Sequence, residues 1–131
     1  MPALLYLLVL DPKLRRLRSL GAIALYLAIV GLGAIPGARS ELGHYASGLV
    51  LHSLAYASLA FLWFIGSGGS AAERAVKSVL TVAAMGACDE LIQGFLPYRS
   101  AAVSDWLVDC SAAIVSAGLM WAFLPKPLDA P

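Results

Sequence analysis

The sequence predicts an all-α membrane protein: four antiparallel transmembrane helices preceded by a short N-terminal interfacial or re-entrant helix. Three observations carry that expectation. Of the 131 residues, 60% are apolar and only 13% are charged, against roughly 25% charged in a soluble domain. Four apolar stretches, approximately residues 20–36, 42–65, 76–96 and 102–124, match the length of about 20 residues that a helix needs to cross a bilayer core. Between them stand Pro36-Gly37, the run Gly66-Ser67-Gly68-Gly69-Ser70, and Pro97, all of which favour turns over continued helix. The length leaves room for one domain, taken as residues 1–131.

Each element has its own justification. Met1 to Leu10 is apolar but too short to span, and its basic residues follow it rather than precede it. That order is wrong for a cleaved signal peptide, which leaves a helix lying against the bundle or dipping into the interface. Lys13, Arg15, Arg16 and Arg18 precede the first span, Arg74 and Lys77 follow the Gly/Ser loop, and Lys126 follows the fourth span. The opposite side holds only Arg39 and Arg99. Because basic residues collect on the cytoplasmic side, both termini are expected there. The short connections at Pro36-Gly37 and Pro97 imply antiparallel neighbours. Trp63 and Trp121 are expected as inner interfacial anchors and Trp106 as an outer one. A net charge of +1 with no basic field argues against a nucleic-acid partner.

Against this apolar background one stretch is costly: Asp89-Glu90-x-x-Gln93-x-x-x-Pro97-x-Arg99-x5-Asp105-x3-Asp109. Ionisable groups at bilayer depth need a partner, a proton or water, and they read by default as a functional site facing the bundle interior. Glu90 and Gln93 are i and i+3, and Asp105 and Asp109 are i and i+4, so each pair occupies one helical face. At about 1.5 Å per residue, Glu90 lies roughly 10 Å below Pro97 and Asp109 about 12 Å below Ala101, so the two can meet. On the second span His44, Gly48, His52 and Tyr56 recur at i+4, with His52 about 15 Å from the outer end. Four acids facing Arg99 and His52 cannot all ionise at close range, which predicts a retained proton or an entering cation.

The pair His52-x-x-x-Tyr56, followed by the Asp89 to Asp109 motif, resembles the VanZ-like family, small bacterial membrane proteins named for a teicoplanin-resistance protein. The similarity covers roughly residues 20–124. The second motif is the specific one, because its polar residues keep their spacing across a loop and two spans. Three departures stand out: Asp109 where the family usually has Asn, Ala112 and Ser116 at small glycine positions, and Gly48-Leu49 in place of an Asp-Lys pair. The resemblance implies a bacterial cytoplasmic (inner) membrane location and a link to glycopeptide tolerance through the namesake. It carries no established biochemical mechanism with it.

Three functional classes fit these residues. The favoured one is binding or processing of a membrane lipid or lipid-linked envelope precursor in an outward-facing cavity. Arg99 would take an anionic headgroup and Asp89, Gln93, Asp105, Asp109 and Tyr56 the rest of the ligand. An enzyme would use Glu90 as general acid or base with His52 as proton shuttle. A minimal proton or cation transporter is the third class, although no internal repeat supports it. No cofactor is expected and no metal site is assigned, with a divalent cation on Glu90, Asp105, Asp109 and His52 as the alternative. The oligomeric state stays open. Plainer roles stand beside each: Arg99 paired with Asp105 or Asp89, Gln93 bonded across helices, His52 bonded to Tyr56 or a carbonyl, His44 and Glu41 solvated. Cys88 and Cys110 match no zinc spacing and read as small hydrophobes.

Overall fold

Helix boundaries fall where the local sequence supplies a cap or a breaker. The computed structural model describes residues 2–124, which form α1 (Ala3–Leu10), a 3₁₀ turn (Pro12–Leu14), α2 (Arg15–Ala34), α3 (Ala38–Gly43), α4 (Gly48–Gly66), α5 (Ala71–Phe95) and α6 (Val103–Phe123). Asp11 opens the 3₁₀ turn by accepting the Lys13 amide at 2.9 Å. After α2 the chain turns at Pro36-Gly37, where Gly37 takes φ +80°, a left-handed conformation that glycine adopts without a Cβ penalty. Ser47 caps α4 by accepting the Val50 amide. At the start of α5 Ser70 and Glu73 form a reciprocal capping box. The Ser70 amide donates to Glu73 Oε2 at 2.7 Å, holding that exposed carboxyl below its usual range. Pro97 then forbids continuation of α5 beyond Leu96.

α4 is the hub, packing against α2, α5 and α6, while α5 and α6 also pack on each other. Its middle buries Tyr56, Leu59 and Ala60 against Val82 of α5 and Ala113 of α6. Its C-terminal end forms a second cluster, Phe64 and Ile65 with Val9 and Leu10 of α1 and Ala117 of α6. The outward surface is apolar, with Leu27, Leu54, Leu80 and Ile114 exposed, whereas Arg18, Arg74, Ser78, Asp89, Glu90, Gln93 and Asp109 are buried. A polar interior inside a greasy exterior is the distribution expected of helices that face lipid.

Among the described residues three helical stretches are long and apolar enough to cross a membrane: Pro12–Ala34, Gly48–Gly66 and Val103–Phe123. α5 is the longest helix at 25 residues. It carries Glu73, Arg74, Lys77, Asp89 and Glu90, so its composition sets it apart from those three.

Several expectations need correction. The second apolar stretch does not run unbroken from Leu42: Ala38–Gly43 forms its own short helix, and α4 starts at Gly48 behind its Ser47 cap. His44 therefore sits in an exposed turn outside the stripe, and His52 lies in the second turn of α4, about 6 Å from its start rather than 15 Å. The indole N–H groups of Trp106 and Trp63, expected at the interfaces, are used between helices. Trp106 Nε1 donates to the Ala83 carbonyl at 2.9 Å and Trp63 Nε1 meets Met85 Sδ at 3.4 Å, so both stitch helices to α5. Both cysteines are free thiols. Lys126 lies outside the described residues.

The basic residues gather at one end of the bundle for a reason beyond topology. Arg18 donates through Nε to the Leu8 carbonyl at 2.6 Å, through Nη2 to Leu7 at 3.0 Å and through Nη1 to Ile65 at 3.1 Å. Arg74 Nε donates to the Phe64 carbonyl at 3.0 Å and its guanidinium lies 4.6 Å from the Phe64 ring centroid. Two cations thus cap the C-terminal carbonyls of α4, where the helix dipole is negative. Arg18 also ties α1 onto the bundle by its last turn.

Candidate functional site

The opposite end of α4 presents two side chains one turn apart. His52 and Tyr56 lie parallel, with ring centroids 6.0 Å apart and planes 3° apart. Each reaches a different helix. Tyr56 donates its hydroxyl to Asp89 Oδ2 on α5 at 2.9 Å. His52 Nδ1 lies 2.9 Å from Asp109 Oδ1 on α6. Beside this contact α5 and α6 come close, and Gly86 permits it: a Cβ there would sit 3.3 Å from Asp109 Cβ and 3.2 Å from Trp106 Cδ1. Gly86 carries no chemistry, and nothing in the spacing of polar residues pointed to it.

The four acids do not form one cluster. Asp89 and Asp109 take the partners just named. Glu90 sits about a quarter-turn around α5 and reaches the start of α6, where its Oε2 accepts the Ala102 amide at 2.8 Å. Ala102 is the N-cap of α6, so a carboxyl from α5 accepts the N-cap amide, the donor that a Glu or Gln three residues further on takes in a capping box. Glu90 Oε1 and Asp109 Oδ2 are buried without a partner among the described residues. Asp105 faces Arg39 of α3, Oδ2 to Nη2 3.5 Å, a half-exposed pair. Among the described residues no three His, Cys, Asp or Glu side chains converge in a set that could hold a metal ion.

Arg99 takes neither of the carboxyl partners considered for it. Nη1 donates to the Gly33 carbonyl and Nη2 to Gln93 Oε1, both at 2.6 Å, while Nε is buried with no partner. Tyr98 donates to the neighbouring Ala34 carbonyl. The loop after α5 is therefore bolted to the last turn of α2, whose orphan carbonyls attract a cation.

These groups surround a cavity of about 200 Å³ between α2, α3, α4 and α5. His52, Tyr56, Asp89, Gln93 and Arg99 line its polar side together with Arg39, and Ile29, Leu32, Leu51 and Ala55 its apolar side. Glu90, Asp105 and Asp109 stand outside the lining, Asp109 directly behind His52. Arg39 was missed as a site residue because it lies in a connecting segment, away from the motif. A second, open groove of about 640 Å³ runs between α4 and α6 past Ser53, Ala57, Ser111, Ala112 and Ser116. There Ser116 Oγ donates to the Ala57 carbonyl at 2.9 Å, so the residue at a usual glycine position is used as an interhelical tie.

A bundle with a lipid-like exterior, three helices of spanning length and buried polar side chains that join helix to helix defines a helical membrane protein with an internal polar site. The chain belongs to the VanZ-like family: the family described as VanZ/LLP1 matches residues 13–124, from the 3₁₀ turn to the end of α6. Neither a curated protein nor a solved structure matches the chain.

Proposed function

We propose that this VanZ-like protein binds an amphipathic lipid or lipid-linked cell-envelope component by its headgroup, in a cavity that opens toward the outer face of the bacterial cytoplasmic membrane. The observation that carries this reading is Arg99, a half-buried guanidinium in the cavity wall whose two protein partners are neutral oxygens. A cation held that way has its position fixed and its charge unanswered, and an anionic headgroup answers it. Two lines support the membrane placement. Arg18, Arg74 and Lys77 lie at the end away from the cavity, which puts that end in the cytoplasm by the positive-inside rule. α5 then crosses as the fourth span, antiparallel to its neighbours, with Asp89 and Glu90 shielded from lipid by Tyr56 and the start of α6. A protein that holds or processes a lipid-linked envelope component would alter glycopeptide tolerance, the trait for which the family is named.

One observation favours an enzymatic variant of this reading. His52 lines the cavity with the Asp109 carboxyl behind it, the arrangement of an imidazole oriented for proton transfer. In that variant His52 is the acid-base group and Glu90, which caps α6, is not. The test of the binding reading is copurification. Lipids extracted from the detergent-solubilised wild type and from Arg99→Ala are compared by mass spectrometry. A species bound to wild type and depleted about tenfold or more in the variant is expected, the scale of one lost charged hydrogen bond. Equal lipid content in a folded variant overturns the reading.

A further inference from the structure

The cavity's two opposite charges share its wall without pairing. Arg99 and Asp89 both line it, yet Arg99 is held by Gly33 and Gln93, and Asp89 by Tyr56. Charges free to approach in a half-buried site would be expected to pair with each other. Here Gln93 acts as a spacer. It lies one turn beyond Asp89 on the same face of α5, so a guanidinium anchored on its amide oxygen is set about 6 Å along the helix from the carboxyl. Tyr56 uses Asp89 Oδ2, and the other oxygen has no donor among the described residues.

From this we propose, resting on the lipid-binding reading, that the ligand is zwitterionic, with a phosphate at Arg99 and a primary ammonium at Asp89. A purely anionic ligand satisfies Arg99 and brings a second negative charge toward Asp89. A cationic one does the reverse. A phosphate and an ammonium separated by a two-carbon link meet both at the spacing that Gln93 imposes. Arg39 also lines the cavity, beside Gly48, with its charge paired to Asp105. The carboxyl of Asp89 offers an acceptor that a primary ammonium can satisfy with N–H donors and a quaternary one cannot. At about 200 Å³ the cavity is smaller than the roughly 300–1,000 Å³ of sites for drug-sized ligands, which suits a compact headgroup and not a glycan.

The shared chemistry is that of phosphoethanolamine, carried by a lipid or free in water. Native mass spectrometry of the full chain in detergent, titrated with phosphatidylethanolamine, phosphatidylglycerol and phosphatidylcholine of identical acyl chains, separates the outcomes. Wild type is expected to retain phosphatidylethanolamine about tenfold better than the other two. Asp89→Asn, which keeps an oxygen for Tyr56, should abolish the preference, lowering phosphatidylethanolamine and raising phosphatidylglycerol until the two are retained alike. Retained phosphatidylglycerol in that variant also reports that it is folded. Wild type retaining phosphatidylglycerol as well as phosphatidylethanolamine, or Asp89→Asn leaving the preference intact, overturns the zwitterion assignment while the lipid-binding reading survives. No lipid retained above the Arg99→Ala level overturns the lipid-binding reading. A fourth arm adds water-soluble phosphoethanolamine. Displacement of bound lipid by it shows that the headgroup carries the recognition, and displacement by inorganic phosphate alone to the same degree counts against an ammonium contact.

Discussion

Glu90 separates a structural carboxyl from a ligand-binding one. Its Oε2 accepts the Ala102 amide, which no side chain of α6 takes, Asp105 facing Arg39 instead. Glu90→Gln keeps a carbonyl oxygen for that amide and is expected to leave thermal unfolding and lipid retention close to wild type. Glu90→Ala strands the amide, costing about 1–3 kcal/mol, and should lower the unfolding midpoint. Lipid selectivity should persist in whatever fraction stays folded, because Glu90 is outside the cavity lining. A Glu90→Gln variant that folds normally yet loses its lipid would restore Glu90 as a ligand or catalytic group. The sequence favoured Glu90 as the acid-base candidate and left Asp89 as a ligand contact. Their neighbours decide otherwise: Asp89 shares the i, i+4 face with Gln93 that looks into the cavity, and Glu90 points across the loop. Asp109 is a similar case. Its carboxyl is unexposed and sits behind His52, so its influence on the cavity passes through the imidazole.

Arg18 of α2 supplies the side-chain hydrogen bonds that join α1 to α4, and that makes α1 a conditional element. Eight residues are too few to form a stable helix alone. Arg18 supplies what is missing by binding the Leu7 and Leu8 carbonyls at the end of α1 and the Ile65 carbonyl at the end of α4 together. Val9 and Leu10 then pack on Phe64 and Ile65. Arg18→Met keeps most of the aliphatic volume and removes the donors. In that variant amide hydrogen exchange of residues 3–10 should speed up strongly, while the α4 to α6 region near Tyr56 and Ala113 stays protected. Unchanged protection of α1 would mean that apolar docking alone holds it. Much of this level was legible in the sequence. Apolar length marked α6 to within a residue at each end, but it missed the starts of α2, α4 and α5 by five or six residues, and the capping box of Ser70 and Glu73 that opens α5 reads as loop in the sequence. α3 was not legible, because a helix of six residues buries no residue and leaves no periodic stripe to detect. Nor was the fastening of Arg99 to Gly33, a contact 66 residues apart that depends on α2 and the loop after α5 meeting in space.

For the whole molecule, the arrangement of charge predicts how it sits in the bilayer, and that prediction is independent of any ligand. Arg18 and Arg74 draw the basic end together around the last turn of α4, and the cavity occupies the other end with Gly48, Gln93 and Arg99. If the basic end is cytoplasmic, α5 must cross despite its charged residues, because Ala72 and Ser100 stand at opposite ends of it. Single cysteines at Ser100 and at Ala72, in a background with Cys88 and Cys110 replaced by alanine, test this directly. A membrane-impermeant maleimide applied to spheroplasts should label Ser100→Cys at once and Ala72→Cys only after permeabilisation. Labelling of both from one side would mean that α5 does not span, and the cavity would then open to the same compartment as the basic end. Its ligand would have to come from the inner leaflet or the cytoplasm, and a role at the outer face would fall even if a phosphate-bearing ligand were found. Labelling in the expected pattern confines the cavity mouth to the outer half of the bilayer, where Arg99 and Asp89 can reach only headgroups presented from outside.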